Sequence, residues 1–178
     1  MEKFERLKRT LIHKGAIIDY YQDTVKVPNG NIVTWDFIGH KGAAAVVAVN
    51  AEGKLLMVRQ FRNALDRETL EIPAGGLENV NEPTDAAAAR ELEEETGYKA
   101  GRLEYLLTIR TTVAFCNEKI DVYVADDLIP SKQNLDEDEY INVEEYDIDT
   151  LVQMVYEGKI QDGKTVAALM AYKNKYVK

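Results

Sequence analysis

The first part of the chain alternates bulky and polar residues with a period of two. LKRTLIHKG, AIIDYYQDTVKV and IVTWDFI read as strands on that pattern. Pro28-Asn29-Gly30-Asn31, between the second and third, reads as a hairpin turn, since Asn-Gly tolerates the positive φ that tight turns require. Gly39-His40-Lys41-Gly42 ends the alternation, and AAAVVAVN after it has no polar face, as expected of a strand covered on both sides. KLLMVRQF and ETLEIPA follow as strands, and after Gly101 come LEYLLTIR and KIDVYVAD on either side of a loop over Thr111 to Glu118. Helical periodicity predicts helices at about Pro83 to Thr96, 147 to 157 and 163 to 176. LDEDEY is too charged for a core and reads as a loop leading into a short strand, INVEEY. The order predicts an α/β fold, a mixed sheet with helices on both faces, preceded by a small N-terminal antiparallel β subdomain. The boundary falls near residue 40, giving domains 1–40 and 41–178.

The first helix has an unusual face. Pro83 suits its first position and Gly97 the left-handed residue past its end. At about 100° per residue, Glu91, Glu94 and Glu95 share an arc of roughly 100° with Ala87 between them, while Glu93 points elsewhere. Ala88, Ala89, Leu92 and Thr96 form a separate small-residue stripe suited to lying on a sheet, and Arg90 is placed to pair with Glu94 one turn on. Three carboxylates on one face repel one another and sit at the unfavourable end of the helix dipole, each effect reaching ~1 kcal/mol at a surface and more where buried. The pattern predicts a positive ligand, and a hard divalent cation such as Mg²⁺ takes such oxygen donors. The plain alternative is a solvated acidic face.

Charge narrows the partners. The net charge of −9 over 178 residues argues against nucleic acid and against an anionic membrane surface. The single cysteine, Cys116, excludes an internal disulfide and a thiolate metal site, which fits a reducing cytoplasm. The N-terminal residues lack the apolar run of a signal peptide, and no stretch approaches the ~18 apolar residues of a membrane span. Two histidines, and the lack of GxxxxGK, GxSxG and HExxH patterns, leave the acidic helix as the main chemical signal.

Gly76, five residues, Glu82, seven residues, Arg90-Glu91-Leu92, one residue, Glu94-Glu95, one residue and Gly97-Tyr98 form a complete Nudix box. The chain therefore resembles the Nudix hydrolases, with their α/β/α sandwich, and most of its length is similar to the ADP-ribose pyrophosphatase branch. The resemblance implies Mg²⁺, or Mn²⁺, held by Glu91 and Glu95 with support from Glu94, together with a backbone carbonyl just before the box. One departure affects that carbonyl: in an Ile-Pro-Ala-Gly lead-in the family usually starts the box at the glycine, here Gly75, which is one residue too far from Glu82. The carbonyl is assigned to Ala74, with Gly75 as the alternative. Gln60-Phe61-Arg62 and Glu71-Ile72-Pro73-Ala74 resemble the segments that supply an arginine for the diphosphate and a glutamate for the substrate. Trp35-Asp36 is similar to an adenine-binding segment that N-terminal strands contribute across a homodimer; a tryptophan in the core is the equal alternative. Leu135 to Tyr140 resembles the loop that provides the water-activating glutamate, Glu139 first and Glu137 second, with Glu94 also in the catalytic set. Gly158 to Thr165 looks like the closing inter-helix motif and reads as structural. The implied reaction is Mg-dependent hydrolysis of ADP-ribose to AMP and ribose 5-phosphate. A nucleotide sugar, an oxidised nucleotide, or a non-catalytic role as an ADP-ribose sensor are the alternatives.

Overall fold

A computed structural model describes residues 3–137 and 139–177. In chain order it contains β1 (Glu5–Lys14), β2 (Asp19–Lys26), β3 (Ile32–Gly39), β4 (Ala43–Val49), β5 (Leu55–Arg62), β6 (Arg67–Glu71), β7 (Ala74–Gly76), α1 (Thr84–Thr96), β8 (Tyr98–Lys99), β9 (Arg102–Arg110), β10 (Lys119–Asp126), β11 (Ile129–Pro130), β12 (Ile141–Tyr146), α2 (Ile148–Tyr156) and α3 (Gly163–Tyr176). Two compact units result. One comprises the residues up to Gly42 together with Arg110–Lys119, the other Ala43–Ile109 with Ile120–Lys178. The loop from Thr111 to Glu118, which the sequence grouped with the second domain, thus clusters with the first unit. Ile38 and Phe115 show why: the Ile38 N–H donates to the Phe115 carbonyl at 2.7 Å.

The first unit is an antiparallel sheet in the order β1-β2-β3. Its second hairpin turns at Val27–Asn31, where Gly30 takes a φ of 89° that a side chain would resist. Arg9 on β1 grips Asp23 on β2 with its Nε and Nη2 (2.7 and 2.6 Å) and lies 3.5 Å from the Phe37 ring centroid. Leu7, Leu11 and Ile12 of β1 are each about half exposed, so this strand leaves apolar surface in water.

The second unit is built on a seven-stranded mixed sheet, whose main path runs β12-β5-β4-β10-β9, with β6 on β5 and β7 on β4. β4 is parallel to β10 and antiparallel to β5 and β7. Its lack of a polar face has a direct cause. Ala43, Ala45 and Val47 pack with Leu151 of α2 and Leu169 of α3, whereas Ala44, Val46 and Ala48 pack with Ala87, Ala88 and Leu92 of α1. Strands covered on both faces need no alternation. Helices therefore flank the sheet on both sides, the α/β arrangement expected from the sequence.

Some details depart from expectation. α1 starts at Thr84 with Pro83 as its N-cap, and Ala87, expected among the carboxylates, is fully buried while Ala89 is only partly so. ETLEIPA is split in two because Pro73 lacks a ladder donor; its carbonyl accepts from Val46 N–H at 2.9 Å. The small β8-β11 ribbon was not anticipated. Among the described residues, no helix is long and apolar enough to cross a membrane, which leaves β-barrel spans unaddressed.

Candidate active site

The residues predicted as ligands lie on α1 and β7. Glu95 is 2% exposed, and its Oε2 accepts the Ala74 N–H at 2.9 Å. Glu91 lies against Gly75 so closely that a Cβ there would sit 2.1 Å from its carboxylate carbon. Any side chain at residue 75 would require the Glu91 carboxylate to move. Gly75 thus serves the helix through its missing side chain, and Gly76 through its carbonyl, which accepts from Arg90 Nη2 at 3.2 Å. Arg90 Nη1 bridges Glu91 Oε1 (2.7 Å) and Glu94 Oε2 (2.9 Å), and its Nε reaches Glu82 Oε1 at 3.3 Å. Arg90 pairs with Glu94 as its spacing predicts and with Glu91 as well, so it already offsets part of the repulsion on this face. Glu93 points away to Ser131 and Lys99, as predicted.

Burial dominates the electrostatics. It pushes the Glu91 carboxyl up to about 7, against the nearby charge of Arg90, with Glu94 and Glu139 pushing in the same direction as burial. Glu95 is pushed up to about 8 by burial and by the charges of Glu91 and Glu139, although the Ala74 N–H opposes the shift. Both carboxyls also feel the charge of Glu139, and the positive charge nearby, Arg90 beside Glu91 and Lys164 acting on Glu95, does not outweigh burial. No group of three or more His, Cys, Asp or Glu among the described residues is closed around a single point. The donor chemistry nevertheless fits a hard divalent cation, because every candidate donor is oxygen, Glu95 is buried, Glu91 is partly buried, and Gly75 leaves room for the Glu91 carboxylate.

A second charged cluster is centred on Glu71, itself 2% exposed. Arg62 binds it through Nε to Oε1 (2.8 Å) and Nη2 to Oε2 (2.6 Å). The Thr69 hydroxyl donates to Oε1 at 2.6 Å, and Lys164 Nζ donates to Oε2. Burial alone would raise the Glu71 carboxyl, but the Arg62 fork, Lys164 and Thr69 together hold it down at about 2. Lys164 also binds Asp162 Oδ2 at 2.9 Å, and that oxygen caps α3 by accepting from Thr165 N–H at 3.0 Å. Thr165 Oγ1 in turn accepts the Ile72 N–H at 3.1 Å. The charges of Lys164 and Arg62 are both felt at Glu95, so this cluster borders the acidic face. Sequence reasoning treated the Gly158–Thr165 motif as structural and missed Lys164; a lysine two residues after the capping Asp162 was the available signal.

Glu137 and Glu139 are exposed. The Glu139 N–H donates to the Asp136 carbonyl at 3.0 Å, and the Glu139 charge contributes to the raised values at both Glu91 and Glu95. Trp35 and Asp36 belong to the first unit. Trp35 is 47% exposed, outside the buried core, with its ring 5.9 Å from that of Phe4. With Tyr20, Ile38, Ala114 and Phe115 they line a cavity of about 590 Å³, where the Tyr20 hydroxyl donates to Asp36 Oδ1 at 2.7 Å.

The acidic helix packs over the central strand β4, with Glu91 against Gly75 and Glu95 bonded to Ala74 of β7. The chain belongs to the Nudix family: the NUDIX domain matches residues 39–169. It is accordingly a Nudix hydrolase. It is 41% identical over 160 residues to an ADP-ribose pyrophosphatase from Bacillus subtilis, covering 89% of this chain and 86% of that one. It is 40% identical over 166 residues to a methanol dehydrogenase activator from Bacillus methanolicus, covering 92% and 89%. A crystal structure of an ADP compounds hydrolase superposes with a TM-score of 0.86 over 100% of this chain and 98% of that chain, at 20% identity, a likeness of fold.

Proposed function

We propose that the chain hydrolyses the diphosphate bond of ADP-ribose, giving AMP and ribose 5-phosphate, with Mg²⁺ or Mn²⁺ as cofactor. The observation that carries this reading is the pairing of buried Glu95 with partly buried Glu91 on α1, where Gly75 leaves room for the Glu91 carboxylate, in a chain 41% identical to an ADP-ribose pyrophosphatase. Glu91 and Glu95 would hold the cation, with Glu94 exchanging its share of Arg90 for it and the Ala74 carbonyl as a further donor. When bound, a divalent cation polarises phosphoryl oxygens and lowers the pKa of water.

The chain's own groups supply the rest. Arg62 binds Glu71 through its Nε–Nη2 edge, which leaves Nη1 for a phosphate oxygen at a fixed angle. Glu71, with both oxygens already accepting, acts by aiming that fork. Glu139, or Glu137 second to it, takes the proton from the attacking water, and the effect of the Glu139 charge on both Glu91 and Glu95 supports that choice. Trp35 stacks on adenine and Asp36 accepts from its amino group. Half-exposed Leu7, Leu11 and Ile12 support a homodimer through the N-terminal strands, with residues 1–40 serving dimerisation and substrate contact and 41–178 the chemistry. A net charge of −9 disfavours nucleic acid partners, and the lone cysteine suits the cytoplasm.

The test is a substrate panel of ADP-ribose, nucleotide sugars and oxidised nucleotides, with and without EDTA, resolved by anion exchange. AMP and ribose 5-phosphate from ADP-ribose alone, abolished by EDTA, is the expected result. Preferential cleavage of another nucleoside diphosphate would reassign the substrate, and binding without turnover would indicate a sensor. The 40% identity to a methanol dehydrogenase activator supports a second reading, stimulation of an alcohol dehydrogenase, which a coupled dehydrogenase assay checks.

A further inference from the structure

The C-terminal turn of α1 is closed by a segment distant in sequence. Helix ends leave carbonyls without intrahelical partners, and here Ser131–Asn134 supplies the missing donors. Asn134 N–H donates to the Glu94 carbonyl at 2.9 Å, Gln133 Nε2 to the Glu95 carbonyl at 2.7 Å, and Ser131 N–H to the Gly97 carbonyl at 2.7 Å. The Ser131 hydroxyl adds a bond to Glu93 Oε1 at 2.6 Å. Gly97 is required twice over, by its φ of 74° and because a Cβ there would lie 3.0 Å from the Gln133 nitrogen. The final glycine of the box thus ends the helix and admits this segment.

The same segment leads to Glu139. Five residues lie between Gln133 and Glu139, the Glu139 N–H is bonded to the Asp136 carbonyl, and at Ile141 the chain pairs with Gln60 of β5. The span carrying Glu139 is therefore fixed at one end to the turn bearing Glu94 and Glu95, and at the other to the sheet. Gln133 is the one side chain of the segment that binds a ligand-bearing turn of the helix backbone directly.

We infer that Gln133 is a positioning residue, holding the Glu139 span in register with Glu94 and Glu95 on α1. This rests on the reading of Glu139 as the base. A displacement of about 1 Å at a reacting group is enough to cost up to ~100-fold in rate. Removing one of several tethers should therefore lower kcat by roughly tenfold while leaving substrate KM and Mn²⁺ affinity unchanged.

A double-mutant cycle with Q133A, E139Q and the pair tests this, with kcat and KM for ADP-ribose, Mn²⁺ affinity by titration, and hydrogen exchange at the Asn134 amide. The expected result is a slower Q133A with normal Mn²⁺ binding, faster exchange at Asn134, and a double variant no slower than E139Q alone. If Q133A slows turnover equally in the E139Q background, or through weaker Mn²⁺ binding, Gln133 acts on the helix and the inference fails. An unchanged Q133A also overturns it. Full activity in E139Q would instead remove the base assignment, a separate failure visible in that variant by itself.

Discussion

Glu91 fills the space that a side chain at residue 75 would need: its carboxylate carbon lies 2.1 Å from where a Cβ of Gly75 would stand. Side-chain and backbone positions are therefore linked at the point where β7 passes α1. G75A must push Glu91 out of its place or move the strand. We expect turnover to fall by about 100-fold or more and Mn²⁺ affinity to fall with it, while circular dichroism stays near that of the parent. G76A, where an added Cβ meets nothing within 4 Å, is the control and should remain active.

Much of this was legible in the sequence, for reasons that particular residues make clear. β4 was readable as a covered strand because its seven residues face two helical layers, and no polar residue could be placed on either side. The helix face was readable because Glu91, Glu94 and Glu95 keep helical spacing. Gln133 and Lys164 were not, since each works through a partner 38 or 93 residues away, and spacing along the chain carries no trace of such pairings. The role of Gly75 was visible only as a counting mismatch in the lead-in, because the space a glycine leaves depends on what approaches it.

The raised carboxyls at Glu91 and Glu95 make stability depend on pH. Their folded values, about 7 and about 8, lie above the ordinary 4.5, so the folded state binds protons more tightly than the unfolded one. Stability is then full below about 4.5 and declines as pH rises toward 8. In EDTA the Tm should fall by roughly 5 °C or more between pH 5 and pH 8. Saturating Mn²⁺ should reverse the fall, because a cation binding the ionised pair stabilises the folded state by mass action. A flat Tm across that range in EDTA would contradict the buried, cation-seeking arrangement.

Glu71 predicts the opposite slope at acid pH. Its carboxyl is held at about 2, below the ordinary 4.5, so its contribution is present above 4.5 and is lost as pH falls toward 2. Removing it leaves Arg62 and Lys164 without a shared anion in a mostly buried setting. E71A should cost about 3–5 kcal/mol in denaturant unfolding. E71Q keeps the shape, so it should lose less stability and raise KM for ADP-ribose roughly tenfold, since Arg62 is then less firmly aimed. An unchanged KM in a folded E71Q would detach Glu71 from substrate binding.

Trp35 separates binding from chemistry. Its ring is 47% exposed at a cavity it shares with Asp36 and Phe115, and it lies in the unit that carries none of the acidic helix. Stacking of a base on an aromatic ring is worth about 1–3 kcal/mol. W35A should therefore raise KM for ADP-ribose by roughly 5- to 100-fold, with kcat at saturating substrate within about twofold of the parent. A stacking role also requires that W35F recover most of the loss, because the base needs a π-face rather than an indole N–H. The effect should vanish for a substrate with no base, such as a diphosphate ester of ribose 5-phosphate alone. Steady-state kinetics on the three proteins with both substrates decides it. If W35A lowers kcat and leaves KM untouched, or if the base-free substrate suffers equally, Trp35 supports the sheet around it and the adenine platform must lie elsewhere.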